Sequence, residues 1–473
     1  MAHWLKDRRF DAYAVRGGVL ALLDRPIPQV VAPPERRSPW KAGAAALRHR
    51  LFRRYFAGVL LSLTGSWIEA GAFGYVVLLL GGSAATLGVI GFLNTIPNLV
   101  LALPAGVLAD RFDRRKVLLI FQGANMGVAV ALAALWASGS LSVFLMGVLA
   151  FLGGSFGTLS FPAFQAMLAS TVPEEDLESA VALNSLSLQL ARFVGPAIAG
   201  VLLASAGPTW VFSVNAVSFL AVLGAVAVLP RSRSHLVSAA LGVGHSMKEG
   251  LRYVFGQRSI ASLMILMVLA GLFATPPVAF MIPGLVRFQL HEGATTLGLL
   301  ISLVGLGSVL GSLALLRLST RVNKGEPATV CYLLCAAAIA AIGVSTSVPL
   351  SFALAVVGGF TGVVFIGLST VVVQSTVSHE MRARAMAIWA ACFVGVLPIG
   401  ALITAGLAAW LGAGGAVAVD GVITFVGGAA VMLRRPEVLW LGCAALPEAC
   451  VAATDPAAVA FEKEHEPEAA RAA

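Results

Sequence analysis

The sequence predicts an all-α membrane protein: twelve transmembrane helices in two parallel six-helix repeats. Three observations predict it. Of 473 residues, 58% are hydrophobic and only 12% charged, and the mean hydropathy is +0.90; soluble domains carry about 25% charged residues. Apolar runs of roughly 20 residues, long enough to cross a bilayer as a helix, recur along the chain. Landmarks in the first half return in the second at nearly constant offsets. A β-barrel would need short alternating segments, which the sequence lacks. Helices satisfy their own backbone hydrogen bonds, so a helical bundle is the architecture this composition allows. Glycine is abundant, at 50 residues, which suits close helix approach in lipid.

Taken in order, residues 1–54 form a polar, basic cytoplasmic extension, with "RPIPQVVAPPERRSP" as a flexible linker. "DRRF" at 7–10 contains two arginines, but Arg16 interrupts the apolar run that follows. An uncleaved first span is therefore expected rather than a twin-arginine signal. The spans fall near 55–80, 84–109, 117–138, 141–163, 180–204, 208–230, 259–285, 294–316, 327–345, 349–373, 385–409 and 412–433. This gives an N-terminal half over 55–230, a cytoplasmic linker over 231–258, a C-terminal half over 259–433 and a cytoplasmic tail over 434–473. The tail's "FEKEHEPEAARAA" reads as a solvated segment. "TPP" at 275–277 predicts a break in span seven.

Every Lys and Arg except Arg192 and Arg287 falls on one side of this arrangement. Positive charge stays inside, so both termini are expected in the cytoplasm and the protein in the cytoplasmic (inner) membrane. The net charge of +9 then reflects topology. Split among short loops without a nucleic-acid module, it argues against a nucleic-acid partner. Cys331, Cys335 and Cys392 lie in spans, and Cys443 and Cys450 in the tail, without a matching ligand cluster. No metal, cofactor or disulfide framework is expected. The sequence has no phosphate-binding loop for ATP and no nucleophilic or His–carboxylate constellation, so an enzyme with catalytic residues is not expected.

The repeat is visible in short matches. "AATLG" from Ala84 returns as "ATTLG" from Ala294, and "STVPEEDLESAVA" from Ser170 returns as "STVSHEMRARAMA" from Ser375. Asn215 and Asp420 share the second offset. Parallel halves related by an axis along the membrane normal are a transporter architecture, with the path between them.

"GVLADRFDRRK", between spans two and three, concentrates charge in a chain that otherwise avoids it. It resembles the signature loop of the major facilitator superfamily. Gly106, Leu108, Ala109, Asp110, Arg111, Arg114, Arg115 and Lys116 carry the match, while Asp113 stands where glycine is common. The resemblance covers about residues 50–435. It implies a cytoplasmic gate in which Asp110 faces the start of span eleven, near 380–386. Arg114 and Arg115 would meet the acidic run Glu174, Glu175, Asp176 and Glu178. The corresponding loop "LRLSTRVNKGE" has Thr320 in place of Asp110, so that copy is expected to be a weak latch. "ALNSLSLQLARFVGPAIAG" and "RARAMAIWAACFVGVLPIGALITAG" resemble the drug- and siderophore-exporter branch, the enterobactin exporter-like members. Gly195, Pro196 and Gly200 look like part of that branch's antiporter motif, whose fuller glycine pattern is absent. A kink is expected there, since proline removes a backbone donor.

Three ionisable residues lie inside spans: Glu69, Arg192 and Asp420. Such groups are costly in hydrocarbon and normally face a cavity or a partner. Glu69 lies ~21 Å up span one and Arg192 ~18 Å up span five. They either pair or both contact substrate. Span twelve is peripheral, which favours a structural role for Asp420. Asn94, Asn98 and Trp389 are further path candidates, beside Trp67, Gln122, Asn125, Asn184, Gln189 and Phe360. The expected function is proton-coupled export of small amphipathic molecules by a monomer working through alternating access. Alternatives are siderophore or lipid transport and, from another class, a transport-inactive membrane scaffold or sensor.

Overall fold

A computed structural model describes residues 45–229, 243–321, 323–378 and 380–441. The expectations for residues 1–44, for 230–242 of the linker and for 442–473 of the tail, including Cys443 and Cys450, lie outside the described residues. Among those described, eleven helices are long and apolar enough to cross a membrane. They are Arg50–Leu79, Ala84–Arg111, Arg114–Ala137, Val143–Ala169, Glu174–Ser205, Pro208–Ala227, Arg258–Phe288, Ala294–Leu318, Gly325–Val344, Val348–Thr376 and Arg382–Arg434. The last is two spans joined at Gly412, whose φ of 73° reverses the chain. Twelve spans result. They are called span one to span twelve below.

The repeat is built into the backbone. Gly207, between spans five and six, has φ 82° and ψ 177°; Gly412, between eleven and twelve, has φ 73° and ψ 178°. Both positions need the left-handed region that glycine reaches without a Cβ penalty. Their separation repeats the spacing of Asn215 and Asp420.

The contact between the halves is likewise made twice. A Cβ on Gly88 in span two would lie 2.8 Å from the Ala401 carbonyl and 2.6 Å from the Ala405 Cβ in span eleven. A Cβ on Gly298 in span eight would lie 2.5 Å from the Pro196 carbonyl and 2.7 Å from the Gly200 Cα in span five. Gly88 and Gly298 are equivalent in the repeat, as are Pro196 and Ala401. Glycine therefore lets the halves seal at one end of the bundle, the end remote from the Asp110 loop. Span five runs through Pro196 as one helix from Leu177 to Ser205. Gly195, Pro196 and Gly200 act as a close-packing surface: Gly195 lies against Trp67, and Gly71 of span one lies against Pro196.

Span seven does not break at Thr275–Pro277. It widens into π-helical turns at Ala270–Ala274 and Pro277–Met281. Span eleven does the same at Ala391–Gly395. The two widened stretches pack together, with Gly271 against the Phe393 carbonyl and Gly400 against the Leu272 carbonyl. A π-turn keeps the backbone bonded where proline disrupts the α ladder, and such turns often occur at functional sites.

An amphipathic helix, Val243–Gly256, precedes span seven. It is pinned to the start of span eleven by the Glu249–Arg384 ion pair at 2.6 Å.

Candidate functional site

A cavity of about 820 Å³ lies between the halves. One stripe of span one faces it: Ser62, Ser66, Glu69 and Phe73, a helical spacing that places all four on one side. Its lining changes along the bundle axis. Val77 and Leu87, toward the sealed end, are 0% and 3% exposed; Phe161 and Leu188, toward the Asp110 end, are 64% and 43% exposed. The cavity therefore opens at the end that carries Asp110.

Among the described residues, Glu69 is the only charged one on this wall. Asn215 of span six donates from Nδ2 to Glu69 Oε2 at 2.6 Å. Amide side chains supply much of the remaining polarity, among them Asn94, Gln122, Asn125, Asn184 and Gln189. Asn94 Nδ2 donates to the Ala150 carbonyl at 3.3 Å. Gln189 crosses between halves, donating to Ser312 Oγ at 3.2 Å.

Glu69 and Arg192 are not a pair. They occupy opposite faces of span one: Glu69 faces the central cavity, whereas Arg192 stacks over Trp67, its guanidinium 5.6 Å from the ring centroid. Arg192 lines a second cavity of about 380 Å³.

Four other expected path residues, Phe360, Asn98, Trp389 and Asp420, line neither cavity. Asn98 accepts from Thr158 Oγ1 at 2.8 Å, and Trp389 donates to Ser369 Oγ at 3.3 Å. Asp420 is fully buried in the second half, where Thr404 Oγ1 donates to its Oδ2 at 2.6 Å. Asp420 Oδ1 has no partner among the described residues.

The signature loop is organised differently from the expectation. Asp113 caps span three by accepting from the Arg115 amide at 3.0 Å. The Arg115 guanidinium reaches the Leu229 carbonyl at 3.1 Å and the Ala227 carbonyl, at the end of span six. It thus serves the negative pole of a helix rather than the acidic run. Arg114 Nε is buried without a partner among the described residues. In that acidic run, Asp176 instead bonds His49 Nε2 at 2.8 Å. Asp110 is exposed, and Gly106 has nothing within 4 Å of a built Cβ. With Arg384 held by Glu249, the start of span eleven is engaged elsewhere. Among the described residues, Asp110 and Arg111 form no side-chain hydrogen bond or ion pair, so no latch is made in this conformation.

Residues 41–443 match the family model described as transmembrane secretion effector. The chain belongs to this family, within the major facilitator superfamily. Among curated relatives, the multidrug efflux pump Tap of Mycobacterium tuberculosis (strain ATCC 25618 / H37Rv) is 26% identical over 357 residues, covering 73% of this chain and 84% of that protein. The enterobactin exporter EntS of Citrobacter koseri is 25% identical over 412 residues, covering 85% and 96%. The solved D-xylose–proton symporter superposes with a TM-score of 0.64 at 15% identity, covering 82% of this chain and 98% of that one. The likeness shows a shared fold. The family and these relatives are transporters, not enzymes.

Sequence reasoning missed the Asn215–Glu69 bond. The signal was available in depth: Glu69 is ten residues from the far end of span one and Asn215 seven from that end of span six, or ~15 Å and ~11 Å.

Proposed function

We propose that the protein is a proton-coupled exporter of small amphipathic molecules, working by alternating access from the cytoplasmic membrane. The carrying observation is Glu69, the single charged group on the central cavity among the described residues, held by the Asn215 amide. The efflux pump and exporter among the relatives support the export direction, and the one-sided Lys and Arg distribution supports a cytoplasmic Asp110 end. The halves would be residues 55–230 and 259–433, rocking about the glycine contacts. In the present conformation the cavity then faces the cytoplasm and accepts substrate there.

The coupling chemistry follows from burial. An anionic carboxylate requires water or donors, and closing the cavity removes the water. Protonation leaves a neutral acid that tolerates enclosure. A proton entering from outside and leaving inside returns the carrier, and substrate drives the opposite closure. Asp110 and Arg111 would latch the cytoplasmic end when the outer end opens. The amide-rich wall suits polar groups without demanding a single geometry.

Substrate counterflow in proteoliposomes tests the transporter reading. Labelled substrate should transiently accumulate against an unlabelled internal pool. A transport-inactive scaffold or sensor would show no counterflow with any substrate that binds.

A further inference from the structure

The second cavity has a character opposite to the first. Its wall is mainly aliphatic and aromatic, with Trp67, Phe365 and Phe393 among its rings. The Thr275, Ser308 and Thr424 hydroxyls on this wall bond backbone carbonyls, but two polar groups, Arg192 and Tyr332, are left without a hydrogen bond among the described residues. Arg192 has no hydrogen bond or ion pair among the described residues and only the Trp67 ring beneath it. Tyr332 is 2% exposed, and its hydroxyl has no hydrogen-bond partner among the described residues. The Tyr332 ring is fixed edge-on against Phe365, with centroids 4.9 Å apart. Among the described residues, no carboxylate lines this chamber.

An unpaired guanidinium within a membrane protein is costly, and stacking on one indole recovers only part of its lost hydration. A buried phenol hydroxyl without an acceptor is also unfavourable. One ligand would satisfy both groups: an amphipathic anion with an aromatic body. Its anionic group would meet Arg192, an acceptor atom would take the Tyr332 proton, and its rings would fill the apolar volume. Ala70, Ala279 and Ile301 line both cavities, so the chambers share a wall. Glu69 on the other side of span one disfavours the anion there. The two faces of span one thus sort a ligand by charge.

We propose that the Arg192–Tyr332 chamber is a binding site for aromatic amphipathic anions. The inference rests on the transport reading only in that ligand arrives through the central cavity.

The test uses full-length protein in detergent micelles at neutral pH with no gradient. The probes are anilinonaphthalene sulfonate, an aromatic anion, and its uncharged relative phenylnaphthylamine. Binding is followed by energy transfer from tryptophan, with protein-free micelles subtracted. The anion should bind about tenfold more tightly than the neutral probe. Arg192→Gln should erase that preference, Arg192→Lys should keep part of it, and Tyr332→Phe should weaken the anion about threefold. Trp67→Phe should lower the energy transfer to bound anion. Equal affinity for the two probes in the wild type, or a preference that survives Arg192→Gln, overturns the proposal. If Arg192→Gln does not fold, Arg192→Lys and Tyr332→Phe decide it, and unchanged preference in both overturns it. The transport reading fails separately: its loss would appear as absent counterflow with the probe preference intact.

Discussion

Asn215 and Glu69, on spans six and one, share a 2.6 Å hydrogen bond at the wall of the central cavity. The donor is a neutral amide, so it stabilises the carboxylate without cancelling its charge. A guanidinium partner would have locked the anion in place. In the proposed mechanism, the amide leaves Glu69 able to gain and lose a proton as the cavity opens and closes.

Removing that amide tests the relationship. Hydrogen bonds to charged groups contribute ~1.5–3 kcal/mol. Asn215→Leu should lower gradient-driven transport about tenfold at equal membrane abundance. Asn215→Gln, which can still donate, should recover part of it. Initial-rate measurements in proteoliposomes check both outcomes.

The sealed end should be sensitive to side-chain volume. A Cβ on Gly298 would lie 2.5 Å from the Pro196 carbonyl, so Gly298→Val must push spans five and eight apart. The variant should favour the conformation that is open at the end sealed here and closed at the Asp110 end. A cysteine replacing Ser185, an exposed cavity residue, reports this in a cysteine-free background. Its labelling by an impermeant maleimide from the Asp110 side should fall several-fold.

The signature loop should matter for transport and not for the conformation described here. Asp110 makes no latch contact in it, so Asp110→Asn should change stability by no more than ~0.5 kcal/mol, as surface substitutions usually do. Transport should nonetheless fall, and by more than in Thr320→Ala. Thermal melting and transport rates on the same preparations check the pair of outcomes. Equal transport losses would mean that the loop only sets orientation.

Gly412 should resist substitution for a backbone reason. Its φ of 73° costs a non-glycine residue ~1–2 kcal/mol. Gly412→Ala should lower the melting temperature, while Gly406→Ala, at a helical position with open space around it, should not.

The number of spans was legible because hydropathy alone reports it, and the repeat was legible because its landmarks kept their spacing. Ends were less so: span four continues past Pro162 to Ala169, since a helix in a bundle tolerates a proline that would stop one in water. Side-chain pairing was the least legible feature. Depth follows from counting residues, but partner choice depends on how each helix is rotated. Glu69 and Arg192 lie at similar depth and still face different cavities, because Trp67 and Gly71 turn toward span five while Ser66 and Glu69 turn away. The serine–glutamate stripe of span one held that information. The signature loop misled for another reason: its sequence is the same whether the gate is open or closed.

The most direct test of the central claim is export by Glu69→Gln in proteoliposomes, with and without an imposed pH gradient. Glutamine keeps the size and polarity of the protonated acid but carries no exchangeable charge. The account predicts that a pH gradient no longer drives accumulation, while measurable substrate exchange, which needs no net proton movement, persists. Full gradient-driven accumulation by Glu69→Gln would contradict it and move the coupling site to Asp420 or to a charge carried by the substrate.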